Sequence, residues 1–291
     1  MSNIVNDEYP SKKVLTDEDL KAKLASEYQF NGAPSTEDSK VDFPTEIIDL
    51  PSKGYFYPEG SPLSSGKIEM KYMTAKEEDI LSSQNLIKQG VVIDKLLQSL
   101  IVTKVKYDDI LLCDKNAIFI ASRILAYGAD YEVEITCPDC GEKSKQHVDL
   151  QDFDEKVVDF THLPKHKNRF TFTLPTSKKT IEFGLLTHGD EKRIEEEVKK
   201  NKRFTKLVGV DPELSTRLKY IIKSVEGDED QAAINKFVDS MLSRDSLAFR
   251  TYLKEITPDI DTTFTFTCPH CEYENDKMAM PITVGFFWVG V

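Results

Sequence analysis

Long apolar runs are missing from this 291-residue chain. None approaches the ~20 residues that cross a bilayer, so no membrane span is expected. An apolar leader is missing as well. The opening "MSNIVNDEYPSKKVLTDEDL" is polar, and the protein is expected to be made and folded in a cytoplasm. Histidine is scarce: His147, His162, His166, His188 and His270 are the only ones. No HExxH, P-loop, GxSxG or GxGxxG pattern occurs, and with those patterns go the usual signatures of metal-assisted hydrolysis, nucleotide chemistry and serine catalysis. The chain is therefore expected not to be an enzyme. Asp108, Asp109 and Asp114 read as helix-end and surface residues. Positive charge is in deficit, with 38 Lys and Arg against 50 Asp and Glu and a net charge of -12. Such a surface repels phosphates, so no nucleic-acid partner is expected. The basic cluster in "EEEVKKNKRFTKLVG", residues 195–209, reads as a solvated helix end.

What is present suits a folded body. Hydrophobic residues make up 40% and charged residues 30%, enough for one large core or two medium ones. Four of the five cysteines fall in two matching turns, "VEITCPDCGEK" with Cys137 and Cys140, and "FTFTCPHCEYE" with Cys268 and Cys271. In a reducing compartment, paired cysteines more often bind metal than form disulfides. Two C-P-x-C turns, each after an alternating strand-like run, make the halves of a zinc ribbon. Four thiolates close a tetrahedron around one zinc per chain. A redox pair would need its cysteines at a helix N-terminus, and the residues after each pair read as strand. Iron is the other metal that four sulfurs admit. Cys113 stands alone and reads as a small buried apolar residue.

The gap between the pairs is far longer than a ribbon normally has, and an internal repeat accounts for it. Aligning Cys137 on Cys268 pairs Asp114 with Asp245, Ala117 with Ala248, and Val133 and Ile135 with Phe264 and Phe266, without a gap. Upstream, "KIEMKYMTAKEED" resembles "TIEFGLLTHGDEK": an alternating strand leads into Thr74 with Glu77, or Thr187 with Asp190, a helix-start pattern. "LPSKGYFYP" faces "LPKHKNRFTFTLP", and the second copy carries additions around "NKRFTKLVGVDPELS" and "GDEDQAA" that read as loops. The expected fold class is α+β. Two duplicated strand–helical–strand units, 43–150 and 151–291, are joined by a shared zinc-ribbon-like four-cysteine site behind a flexible polar arm, 1–42. Inside the arm, Leu20, Leu24 and Tyr28 fall on one face of a short amphipathic helix. At the other end Phe286, Phe287 and Trp288 form an apolar tail. Two readings stay open: the tail packs on the protein's own core, or it docks into a partner.

Three stretches carry a resemblance to a known family. They are "FPTEIIDLPSKGYFYPEGSPLSSGKIEMKYMTAKEEDIL", "DKNAIFIASRILAYGADYEVEITCPDCGEKS" and the closing "PITVGFFWVGV". Over about residues 43–291 the chain resembles the baseplate hub and hub-assembly proteins of T-even-type contractile-tailed phages. That resemblance implies a non-enzymatic late protein, working through contacts with other tail baseplate hub proteins. It would act in the host cytoplasm during assembly and, where it stays in the particle, in the virion tail baseplate. The competing reading is a cellular zinc-ribbon protein binding nucleic acid or transcription machinery. That reading wants basic and aromatic fingers, whereas Asp139, Glu142, Glu272 and Glu274 make these mostly acidic.

Overall fold

A β-strand, β1 (Thr45–Asp49), opens the part of the chain that the computed structural model describes, residues 44–208, 212–282 and 284–288. The expected arm and its helix lie outside the described residues, all of which belong to one compact unit, Phe43–Val291. β1 pairs antiparallel with β2 (Lys67–Lys71), and the loop between them is held by close backbone approaches. A Cβ on Gly54 would sit 2.4 Å from the carbonyl oxygen of Ser64, so only glycine fits there. β2 buries Ile68 and Met70 and turns outward at alternate positions, as its period of two requires. Three helices follow: α1 (Ala75–Ser82), α2 (Gln84–Gln89) and α3 (Val92–Leu100). At the start of α1 the Glu77 carboxylate accepts the Thr74 N–H at 3.0 Å and the Thr74 hydroxyl at 2.6 Å. α3 buries Val92, Leu96, Leu97 and Leu100, one face of a 3.6-residue repeat. The chain then returns to the sheet edge, where Ile101 bridges Met70. It continues into α4 (Leu112–Tyr127) and the hairpin of β3 (Asp130–Thr136) and β4 (Lys143–Asp149).

A similar run of elements follows further on, with one more strand. β5 (Phe170–Thr173) and β6 (Thr180–Phe183) form the next hairpin, and β7 (Ile222–Val225) pairs with β6. Between them run α5 (His188–Val208) and α6 (Glu213–Ile221). α7 (Gln231–Asp239) and α8 (Ser243–Ile256) lead to β8 (Thr263–Thr267) and β9 (Glu274–Ala279). α5 starts as α1 does: Asp190 accepts the N–H and hydroxyl of Thr187 at 3.1 and 3.0 Å, and its own N–H reaches back to Thr187 at 3.2 Å. α5 runs through Val208, in line with the helix-end reading of 195–209 and against the loop reading of "NKRFTKLV". Its lysines, arginine, leucine and valine extend a helix already under way.

Both halves contribute to one core. Phe56 meets Phe170 edge-on at 5.3 Å, Phe170 meets Phe183 at 5.3 Å, and Phe183 meets Phe249 of α8 at 4.9 Å. Backbone bonds add to the join: His188 N–H donates to Ile110 at 2.8 Å, and Leu112 N–H donates to Leu186 at 3.0 Å. Asp114 corrects a sequence expectation. It is no surface residue but fully buried, because its carboxylate accepts the Ser52 N–H at 2.9 Å, the Ser52 hydroxyl at 2.7 Å and the Tyr57 hydroxyl at 2.7 Å. Asp108 and Asp109 are exposed, as expected. Asp245 is buried too and takes the N–H groups of Thr176 and Ser177 at 2.7 and 3.0 Å. Each carboxylate fixes the turn after a Leu-Pro pair, Leu50-Pro51 or Leu174-Pro175. In "LPKHKNRFTFTLP" it is the second Leu-Pro whose turn a buried aspartate binds. Among the described residues no helix is long and apolar enough to cross a membrane.

Candidate metal centre

Each C-P-x-C sequence forms the tip of an antiparallel hairpin. In the β3–β4 tip Cys137 N–H donates to Glu142 at 2.9 Å, and Gly141 N–H donates to Cys137 at 3.0 Å. In the β8–β9 tip the matching bonds run from Cys268 to Tyr273 at 2.9 Å and from Glu272 to Cys268 at 3.0 Å. The residue after the second cysteine is left-handed in both, with φ of 76° at Gly141 and 58° at Glu272. Glycine takes that conformation freely, whereas glutamate pays in Cβ crowding. Neither pair opens a helix, so the amide array that activates a thioredoxin-like thiol is not formed around them.

The two tips meet. Cys137 Sγ lies 3.7 Å from Cys271 Sγ, and Cys140 Sγ lies 3.7 Å from Cys268 Sγ. All four sulfurs fall within 4.8 Å of one another, a cluster compatible with a metal site. A tetrahedron with metal–sulfur bonds of about 2.3 Å has sulfur–sulfur edges of about 3.8 Å, so the donor set fits one ion. Cys137 and Cys268 are buried, while Cys140 and Cys271 face solvent. Protonation is uneven across the cluster. Burial alone would raise the Cys268 thiol, but the amides of His270 and Cys271, with the neighbouring thiols, bring it down to about 6. At Cys271 the Tyr273 amide pulls the other way, yet burial and the three other sulfurs push it up to about 12. Four thiols this close cannot all ionise unless a cation sits among them.

A family model described as T4 bacteriophage base plate protein matches residues 49–288. The chain belongs to that family. The match takes in both hairpins of this baseplate protein, its four cysteines and the aromatic tail. Membership bears out the resemblance read from the sequence, and it carries association with the phage tail and contacts with other baseplate proteins. Neither the curated proteins nor the solved structures give a match.

Two of the tail's aromatics pack on the body of the protein in this structure. Phe286 and Phe287 are 1% and 2% exposed. Phe286 stacks on Phe119 of α4 at 4.9 Å and meets Tyr131 edge-on at 5.1 Å. Trp288 is half-buried, and its indole N–H donates to the Leu81 carbonyl at 3.2 Å. Cys113 is buried as expected, with its thiol pushed well up by burial. Sequence reasoning missed the two buried aspartates. The only available signal was their pairing in the repeat alignment, since surface and buried aspartate look alike in one sequence.

Proposed function

We propose that this baseplate protein is a non-enzymatic component or assembly factor of the phage tail baseplate hub, with a body locked by one structural zinc. The family match over residues 49–288 carries the baseplate role, and the four-sulfur cluster supports the zinc. In this reading 43–150 and 151–291 descend from one duplicated unit, and Cys137, Cys140, Cys268 and Cys271 form a clasp between the copies. The similar run of elements, the two capping patterns and the two buried aspartates support the duplication. A closed four-thiolate zinc offers no open position for water, so its role is mechanical. It fixes two hairpins that are otherwise short, two-stranded and weak on their own.

Affinity capture of the tagged full-length protein from phage-infected cells tests the role. Tail baseplate proteins are expected in the captured fraction, in amounts that do not change after nuclease treatment. Recovery of host transcription proteins or nucleic acid in their place would instead favour the cellular zinc-ribbon reading.

A further inference from the structure

Three arginines on this surface are each paired with a carboxylate. Arg169 meets Glu182 at 2.6 Å and also Glu229, Arg193 meets Asp190 at 2.8 Å, and Arg217 meets Glu191 at 2.5 Å. Arg244 and Arg250 differ. Among the described residues neither has a carboxylate partner, and Arg250 reaches only the Ser246 carbonyl of its own helix, at 3.3 Å. This holds although the chain is acidic by 12 charges. Both arginines stand on the outer face of α8 with Leu247 between them and Lys254 further along, a spacing that puts all four on one ridge. Leu247 is 59% exposed, and Leu242, at the head of the helix, is 50% exposed. Arg244 also lies in the first turn, where the helix dipole disfavours a cation. The equivalent face of α4 is covered. Five residues beyond its buried aspartate α4 presents Phe119, which lies under Phe286 and Phe287. Five residues beyond Asp245, α8 presents Arg250 to solvent.

We infer that the ridge Arg244–Leu247–Arg250–Lys254 is a docking surface for an acidic segment of a partner protein, one that sets carboxylates around an apolar side chain. Guanidinium groups take carboxylates in paired, charge-assisted hydrogen bonds, and the exposed leucine gives the segment an apolar contact at its centre. The inference rests on the baseplate role, which supplies protein partners.

The test uses the full-length protein and a fluorescein-labelled oligoglutamate peptide with one central leucine, followed by fluorescence anisotropy at low salt. Saturable binding is expected. It should weaken as salt rises and fall about tenfold or more in the double variant Arg244→Glu/Arg250→Glu. Both arginines are solvent-facing, so the variant should keep the metal content and melting temperature of the wild type. A Leu247→Ala variant should weaken the peptide less and leave the salt dependence unchanged. Failure of the peptide to bind, or equal affinity in the wild type and the double variant, overturns the inference. So does tighter binding of a single-stranded oligothymidylate through the same arginines, which assigns the ridge to nucleic acid. The baseplate role is judged by whether tail baseplate proteins are captured from infected cells, so it stands or falls separately from the peptide result.

Discussion

The hairpin tips at Cys137–Gly141 and Cys268–Glu272 share two backbone hydrogen bonds and a left-handed fifth residue, but one places glycine there and the other glutamate. α4 and α8 differ in a similar way. Each buries an aspartate that fixes a Leu-Pro turn, yet α4 is covered by the aromatic tail, whereas α8 leaves a ridge of arginine and leucine bare. The two hairpin tips share their backbone bonding, and the two helices share a buried aspartate. The halves diverge where a helix face meets the rest of the chain or the outside. The proposed clasp would account for the likeness of the tips, since one ion would constrain both.

The strongest way to break the comparison is to remove a ligand. Structural zinc sites contribute on the order of 10 kcal/mol of apparent binding free energy in small domains. Cys137→Ser and Cys268→Ser are each expected to abolish metal binding and to lower the melting temperature by the same amount, read by calorimetry beside elemental analysis. Unequal losses, with metal retained in one variant, would show two independent turns. Next in size is the tail. Phe286→Ala and Phe287→Ala should each cost about 3–5 kcal/mol in chemical denaturation, the usual loss for a fully buried phenylalanine. A change below about 1 kcal/mol would mean that the tail leaves the core in solution and is free to dock elsewhere.

The two aspartates should pull stability in opposite directions with pH. Burial holds Asp114 above the usual carboxylate range, despite the donors Tyr57 and Ser52. Its ionisation therefore opposes folding, and stability gains as pH falls through its raised value toward about 4. At Asp245 burial also pushes upward, but the Thr176 and Ser177 donors outweigh it and the carboxyl lies below its usual range. Its contribution is present above about 4 and is lost as pH falls further. Denaturation midpoints across this range should lose the first slope in Asp114→Asn and the second in Asp245→Asn. An unchanged profile in both variants would contradict the assignment. The smallest effect is expected at the tips. Glu272→Gly should stabilise by about 1 kcal/mol, and Gly141→Glu should destabilise by about as much, because only the left-handed backbone distinguishes them. A Cβ at Gly141 meets nothing within 4 Å, so crowding does not confuse the comparison.

Much of this was legible beforehand, because the informative residues act locally. The capping patterns at Thr74 and Thr187 depend on residues three apart, and the alternation of Ile68 with Met70, or Ile181 with Phe183, depends on residues two apart. The cysteine pairs declared themselves by spacing, and the fold brings their four sulfurs within 4.8 Å of one another. Asp114 was not legible, because its partners Ser52 and Tyr57 lie more than fifty residues away and only the folded loop brings them to it. The end of α5 reads two ways, as a solvated helix end over 195–209 and as a loop from Asn201, and the helix through Val208 agrees with the first. The α8 ridge was hidden because exposure is a property of the packed molecule, not of the stretch "SRDSLAFRTYLKEI".

X-ray absorption at the zinc edge on the purified full-length protein reaches the central claim most directly. A clasp shared by Cys137, Cys140, Cys268 and Cys271 predicts one zinc per chain with four sulfur neighbours at about 2.3 Å and no lighter ligand. Zinc bound through nitrogen or oxygen, two zinc ions per chain, or protein that is stable without metal after preparation under reducing conditions would contradict it.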